Sequence, residues 1–203
     1  RSQIKYGINR TNPFCNDPLK YALHTDLASR CNFDELFIKG ATDVLTKDTV
    51  QSRSQKLLTN GIQTTGNIFN QLSNFNGEIQ KILRLEIESY RMSFKDSNEG
   101  FIKSWPSAYE IRGWLVSMKR GGKLAAHMHD DGWISGSVYI NVPPKVNKDS
   151  GNFVVCLDSG QESKSVDVVT GSLCLFPSSL LHYTIPFEAD ENRIVLAFDV
   201  IPK

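Results

Sequence analysis

From Pro106 to the end of the chain, short runs rich in valine, isoleucine and phenylalanine recur between turn residues, and no helical period survives. That rhythm limits the fold more than any other feature. Strands are expected near 109–118, 123–128, 133–142, 152–158, 164–169, 172–176, 181–186 and 193–201. Their separators are Gly121-Gly122, Pro143-Pro144, Ser150-Gly151, Ser159-Gly160, Gly171 and the acidic turn from Glu188 to Asn192. Evenly spaced short strands close into a sandwich or a barrel, and a jelly roll is the eight-stranded solution that leaves one end open.

The first 107 residues have a mixed character. Asp17-Pro18 reads as a cap followed by a first turn, and Leu19, Leu23 and Leu27 then recur at helical spacing, so a short helix is expected. Phe33 to Leu45 fits either a helix or a strand and turn. Thr49 to Leu58 is compatible with a helix that Asn60-Gly61 would break, and Gln63 to Phe69 reads as extended. The strongest helix runs from about Asn76 to Lys95, where Ile79, Ile82, Leu83, Tyr90 and Phe94 share a stripe and Ser73, Asn74 and Asn76 offer caps. The expected fold is therefore mainly β with helices (α+β): a jelly-roll (double-stranded β-helix) core with a helical layer on one sheet. A single domain over 1–203 is expected, with 1–107 as the helical and extended layer and 108–203 as the core.

A formal net charge of +1 offers no basic field for nucleic acid or anionic lipid. No apolar run is long enough to span a bilayer, so neither a nucleic-acid nor a membrane partner is expected. Cys15, Cys31, Cys156 and Cys174 fall in no metal-binding spacing and read as reduced, packed residues, which favours the cytoplasm. The first residue is Arg1 rather than Met, as in a fragment of a longer protein. Oligomeric state is not legible.

Two of the four histidines, His127 and His129, sit where a strand of the expected core ends. In extended chain, residues two apart project to the same side, so these imidazoles can converge on one ion. His182 is the remaining histidine in that half of the chain. Two neighbouring ligands and one remote ligand, with other positions open, are what a non-haem Fe(II) centre needs. Arg193 opens the last strand; taken alone, it reads equally as a rim salt bridge with Asp190 or Glu191. His24-Thr25-Asp26 also spells a ligand-like triplet but falls in the Leu19 to Leu27 helical pattern, where it reads as structural. Trp114, Trp133 and Phe176 read as core, although Trp133 is close enough to the histidines to line a pocket.

Taken together, His127-Met128-His129, Ser135-Gly136, Val138-Tyr139-Ile140, Gly171 to Ser178, His182, Pro186 and Arg193 stand in an order that resembles the 2-oxoglutarate and Fe(II)-dependent oxygenases. The likeness is to a poorly characterised branch and covers about the last 90 residues. It implies Fe(II) held by His127, His129 and His182, with 2-oxoglutarate chelating the metal. Arg193 would then pair bidentately with the distal carboxylate of 2-oxoglutarate. Thr184 and Tyr139 are candidate hydroxyl partners for the co-substrate, and Trp133 a candidate substrate contact. Oxygen would be consumed, succinate and CO2 released, and a peptide or small molecule hydroxylated. Where the family commonly has a carboxylate ligand, this chain has His129. Asp131, two residues after His129, is the alternative ligand in a shifted register. Two other functions remain open: a cupin-like three-histidine iron dioxygenase that does not use 2-oxoglutarate, and a non-catalytic jelly-roll binding module.

Overall fold

The computed structural model describes residues 12–46, 51–71, 76–158 and 162–203. Ten strands are found there: β1 Leu23–Asp26, β2 Ser52–Arg53, β3 Leu58–Thr64, β4 Tyr109–Leu124, β5 Ile134–Asn141, β6 Phe153–Cys156, β7 Ser163–Val166, β8 Ser172–Pro177, β9 Leu181–Thr184 and β10 Arg193–Pro202. The large sheet has the order β1-β8-β5-β10-β4-β3-β2 and the small sheet the order β7-β6-β9, with all pairings antiparallel. The two sheets form a jelly roll.

Side-chain alternation along the large sheet separates its two faces. On β10, Leu196, Phe198 and Val200 join one core, whereas Val195 joins another. On β8, Leu173 and Leu175 face the first core, Cys174 and Phe176 the second. The first core is closed by three helices: α1 Gly40–Leu45, entered through a π-turn at Asp34–Lys39; α2 Asn76–Ser93; and α3 Gly100–Lys103. Ile79, Leu83, Ile87 and Tyr90 of α2 are buried against this face, as the helical stripe requires. The second core lies between the sheets, where Tyr139, Phe153, Phe176 and Val195 meet. This period of two sends odd-numbered residues of β5 and β10 inward, and with them the polar residues Ser135, Arg193 and Asp199.

Several expectations need correction. The Leu19 to Leu27 helix does not form: only a 3-10 turn, Pro18–Tyr21, appears, and Asp17 makes no side-chain cap. Leu23–Asp26 instead adds β1 to the free edge of β8, a tertiary pairing that outweighs local periodicity. Over 51–58, the described part of the expected Thr49 to Leu58 helix, β2 and the start of β3 stand instead, and Asn60-Gly61 lies inside β3. Phe33 to Leu45 is helical. Gly121-Gly122 does not end a strand; β4 continues through it as a bulge. Thr59 pairs with Lys123 and Gly61 with Met118, so 119–122 loop out opposite Asn60. Gly121 takes φ +73° there, a conformation open to glycine, and its amide donates to the Phe187 carbonyl. The expected caps Ser73 and Asn74 and the Ser159-Gly160 turn lie outside the described residues, and Asn76 is the first described residue of α2 itself.

Candidate metal centre

His127 and His182 are joined through their backbones before their side chains meet. The His127 amide donates to the His182 carbonyl at 3.1 Å and the His182 amide to the His127 carbonyl at 2.9 Å, an isolated antiparallel bridge beyond the end of β4. His129, two residues on, donates its amide to the Ser178 carbonyl after β8. The three imidazoles thereby come from β9 and from the segment that follows β4, and their ligand atoms all lie within 4.8 Å of one another. Among the described residues they form the one cluster able to hold a metal ion.

The unused ring nitrogens show that this arrangement is held in a ligand-ready state. Nδ1 of His127 lies 2.9 Å from the Ala125 carbonyl, Nδ1 of His182 lies 3.1 Å from the Leu180 carbonyl, and Nδ1 of His129 lies 2.7 Å from Asp199 Oδ1. Carbonyls and carboxylates only accept, so each Nδ1 carries a proton, which in a neutral ring leaves the lone pair on Nε2. Metal-binding histidines have this pattern of outer partners. Burial pushes the His182 imidazole well below its usual pKa, and the neighbouring His127 and His129 push it further. Burial also lowers His127, against an opposing contribution from the Ala125 carbonyl. Lowered values keep these rings neutral, which is the form that binds metals.

The imidazoles open on a cavity of about 250 Å³ between the sheets, lined also by Trp114, Tyr139, Phe176, Thr184, Val195 and Asp199. Thr184 and Tyr139 are both buried in its wall. Arg193 lies behind the Tyr139 ring, its guanidinium carbon 5.1 Å from the ring centroid, and is 1% exposed. It is no rim salt bridge, since Asp190 pairs with Arg120 instead. One guanidinium nitrogen of Arg193 donates to the Gly151 carbonyl at 2.5 Å, while Nε and the second terminal nitrogen are buried without a partner. Burial holds its pKa below the usual range. An enclosed guanidinium with two open donors is a ready site for a carboxylate.

Two other sequence candidates fall elsewhere. Asp131 is exposed and lines a separate hollow with Phe14, Met128 and Asp130. Trp133 lines that same hollow, donating its indole N–H to the Phe101 carbonyl and packing edge-on against Phe14. Trp114, read from sequence as core, lines the histidine cavity with its ring 5.6 Å from that of His129. His24 sits on β1, its Nε2 2.9 Å from the Ser172 hydroxyl.

Sequence reasoning overlooked Asp199. It is the single acidic residue in the apolar run from Ile194 to Ile201 and shares the inward parity of Arg193, a signal that was present. Directly across from it on β5 stands Ser135, whose hydroxyl donates to Asp199 Oδ1 at 2.6 Å and lies 2.9 Å from the Ser178 hydroxyl.

Residues 112–199 match a family model described as "Putative 2OG-Fe(II) oxygenase". No curated protein matches the chain by sequence. Among solved structures, a Pseudomonas putida prolyl-4-hydroxylase aligns with TM-score 0.61 at 14% identity, covering 90% of this chain and 92% of that one. A Trichoplax adhaerens prolyl hydroxylase, in complex with a peptide fragment of the hypoxia inducible factor oxygen degradation domain, aligns with TM-score 0.61 at 12% identity, over 89% and 83% of the two chains. HygX from Streptomyces hygroscopicus, with nickel, 2-oxoglutarate and hygromycin B bound, aligns with TM-score 0.58 at 12% identity, over 90% and 83%. At these identities the structures speak for the fold, and the family model speaks for the strands that carry the histidines. Over residues 112–199, which carry all three histidines, Arg193 and Asp199, this chain is similar to the 2-oxoglutarate and Fe(II)-dependent oxygenases, enzymes whose cofactors are iron and 2-oxoglutarate.

Proposed function

We propose that the protein is an Fe(II)- and 2-oxoglutarate-dependent dioxygenase that hydroxylates a peptide or small molecule, with His127, His129 and His182 as its metal ligands. The donor set fits the ion: three clustered imidazoles, each with Nδ1 engaged by an acceptor so that Nε2 is the ring atom left for a metal. When bound, Fe(II) and 2-oxoglutarate would supply the oxidation, splitting the keto acid to succinate and CO2 while one oxygen atom goes to a C–H bond of the substrate. The protein's own residues orient and enclose. Arg193 would take the distal carboxylate of 2-oxoglutarate, with Thr184 and Tyr139 in the cavity wall as candidate hydroxyl partners. Phe153 and Phe176 pack against His182, at 5.8 and 4.7 Å between ring centroids, and keep water from that side of the centre.

The observation that carries this reading is Arg193: a buried cation with two unpaired donors beside the histidine cavity calls for an anionic ligand. A three-histidine dioxygenase without 2-oxoglutarate is the second reading, favoured by the histidine at position 129. Succinate formation and oxygen uptake that depend on added 2-oxoglutarate support the first reading; oxygen uptake that ignores it supports the second. Succinate release across peptide and small-molecule sets screens for the substrate. Among the described residues Cys15, Cys31, Cys156 and Cys174 form no disulfide, which supports a reducing compartment such as the cytoplasm. No described helix is long and apolar enough to cross a membrane.

A further inference from the structure

We propose that Asp199 is a positioning residue that supplies, through His129, the negative charge the three-histidine centre lacks. The inference rests on the reading of His127, His129 and His182 as metal ligands and goes beyond it by assigning a role to a residue outside that set. A centre of three imidazoles carries one negative charge fewer than one of two imidazoles and a carboxylate. Asp199 lines the same cavity and lies 2.7 Å from Nδ1 of His129, closer than the carbonyl partner of either other imidazole. A carboxylate hydrogen-bonded to Nδ1–H makes the ring a stronger donor at Nε2 and fixes which nitrogen faces the ion.

Geometry separates this role from direct ligation. The two nitrogens of an imidazole direct their lone pairs away from each other, so the Oδ1 that accepts from Nδ1 cannot also meet an ion held at Nε2. That oxygen is occupied twice over, by His129 and by the Ser135 hydroxyl. Ser135 and Asp199 are paired across β5 and β10, which pins the carboxylate to the sheet rather than leaving it to swing. Space is also limited: a Cβ added at Gly132 would stand 3.4 Å from Asp199 Cγ and 2.4 Å from the Ser178 hydroxyl, so the segment following His129 is packed onto this network. His127 and His182 have only neutral carbonyls behind them, which makes His129 the one ligand with anionic character.

Two measurements test the proposal. Long-range proton–nitrogen correlation on metal-free protein reads the His129 tautomer directly. Nδ1–H is expected in the native chain and Nε2–H in Asp199→Ala, and Nε2–H in the native chain would overturn the assignment. Co(II) titration then reads the charge. Asp199→Asn, which keeps size and polarity, should weaken Co(II) binding about tenfold or more. In a His129→Asp background, where the ligand itself brings the charge, the same change should cause no loss. Equal binding by the native chain and Asp199→Asn, or an equal loss in both backgrounds, would overturn the proposal and leave Asp199 a purely structural residue. If the native chain takes up no Co(II), the metal-centre reading falls, and the proposal with it. The tautomer measurement remains informative where His129→Asp does not fold.

Discussion

The guanidinium of Arg193 and the ring of Tyr139 face each other at 5.1 Å between the two sheets, with both residues almost fully buried. The aromatic face offsets part of the desolvation of the cation but occupies neither Nε nor the second terminal nitrogen. Such a group is unfavourable for the free fold and favourable once an anion arrives. Arg193→Met is therefore expected to stabilise the ligand-free protein by about 1–3 kcal/mol, since an apolar side chain of similar length removes an unpaired buried charge. It should also abolish stabilisation by 2-oxoglutarate, which in the native chain reaches about 2.7 kcal/mol at a hundredfold excess over Kd. Thermal unfolding of both forms with and without 2-oxoglutarate checks both signs.

Gly151 sets where that guanidinium stands. Its carbonyl accepts from Arg193, its φ is +71°, and an added Cβ would lie 2.9 Å from the bonded guanidinium nitrogen. Gly151→Ala meets backbone strain of about 1–2 kcal/mol and a side chain it must displace. The expected outcome is a KM for 2-oxoglutarate raised about tenfold, the loss of roughly one charge-assisted hydrogen bond, with Co(II) affinity unchanged. Steady-state succinate assays against varied 2-oxoglutarate give the first number and metal titration the second.

The stability of the metal-free protein should fall on acidification, and His182 sets the sign. Its folded pKa is held well below the ordinary 6.5 by burial and by the two neighbouring imidazoles. Below pH 6.5 the unfolded chain takes up a proton that the folded chain refuses, so its stabilising contribution is present above that value and is lost as pH falls towards the depressed folded pKa. His127 shifts in the same direction and adds to the slope. Denaturant unfolding between about pH 8 and pH 5.5 should show the decline. His182→Gln should flatten it.

How much of this was readable beforehand follows from which interactions are local. The inward residues of the core strands obey a period of two, so Ser135, His182, Arg193 and their neighbours could be placed on one side from sequence alone. Leu19, Leu23 and Leu27 could not, because the edge of β8 that captures Leu23–Asp26 lies some 150 residues away and local spacing carries no trace of it. Gly121-Gly122 misled for a related reason: a glycine pair that would turn an isolated hairpin becomes a bulge when β3 and the Phe187 carbonyl hold both sides. Trp114 and Trp133 exchanged roles because both precede apolar strand residues. What separates them is the parity of β4 for Trp114 and contact with Phe14 and Phe101 for Trp133.

The choice between His129 and Asp131 as second ligand yields the last prediction. Asp131 is exposed, faces the hollow shared with Phe14 and Trp133, and lies outside the histidine cluster. A carboxylate in that position can approach the ion only if the segment after His127 rotates, which would break the His129 contacts to Asp199 and to the Ser178 carbonyl. Those contacts are internal and packed, whereas Asp131 leaves water to gain a ligand bond. Asp131→Asn is therefore expected to bind Co(II) within about twofold of the native chain, the usual scale of an exposed substitution. His129→Ala should lose at least about a hundredfold, the upper end of what even a supporting residue costs. A large loss in Asp131→Asn with His127→Ala unaffected would place the ion in the shifted register, with His129 and Asp131 as its ligands.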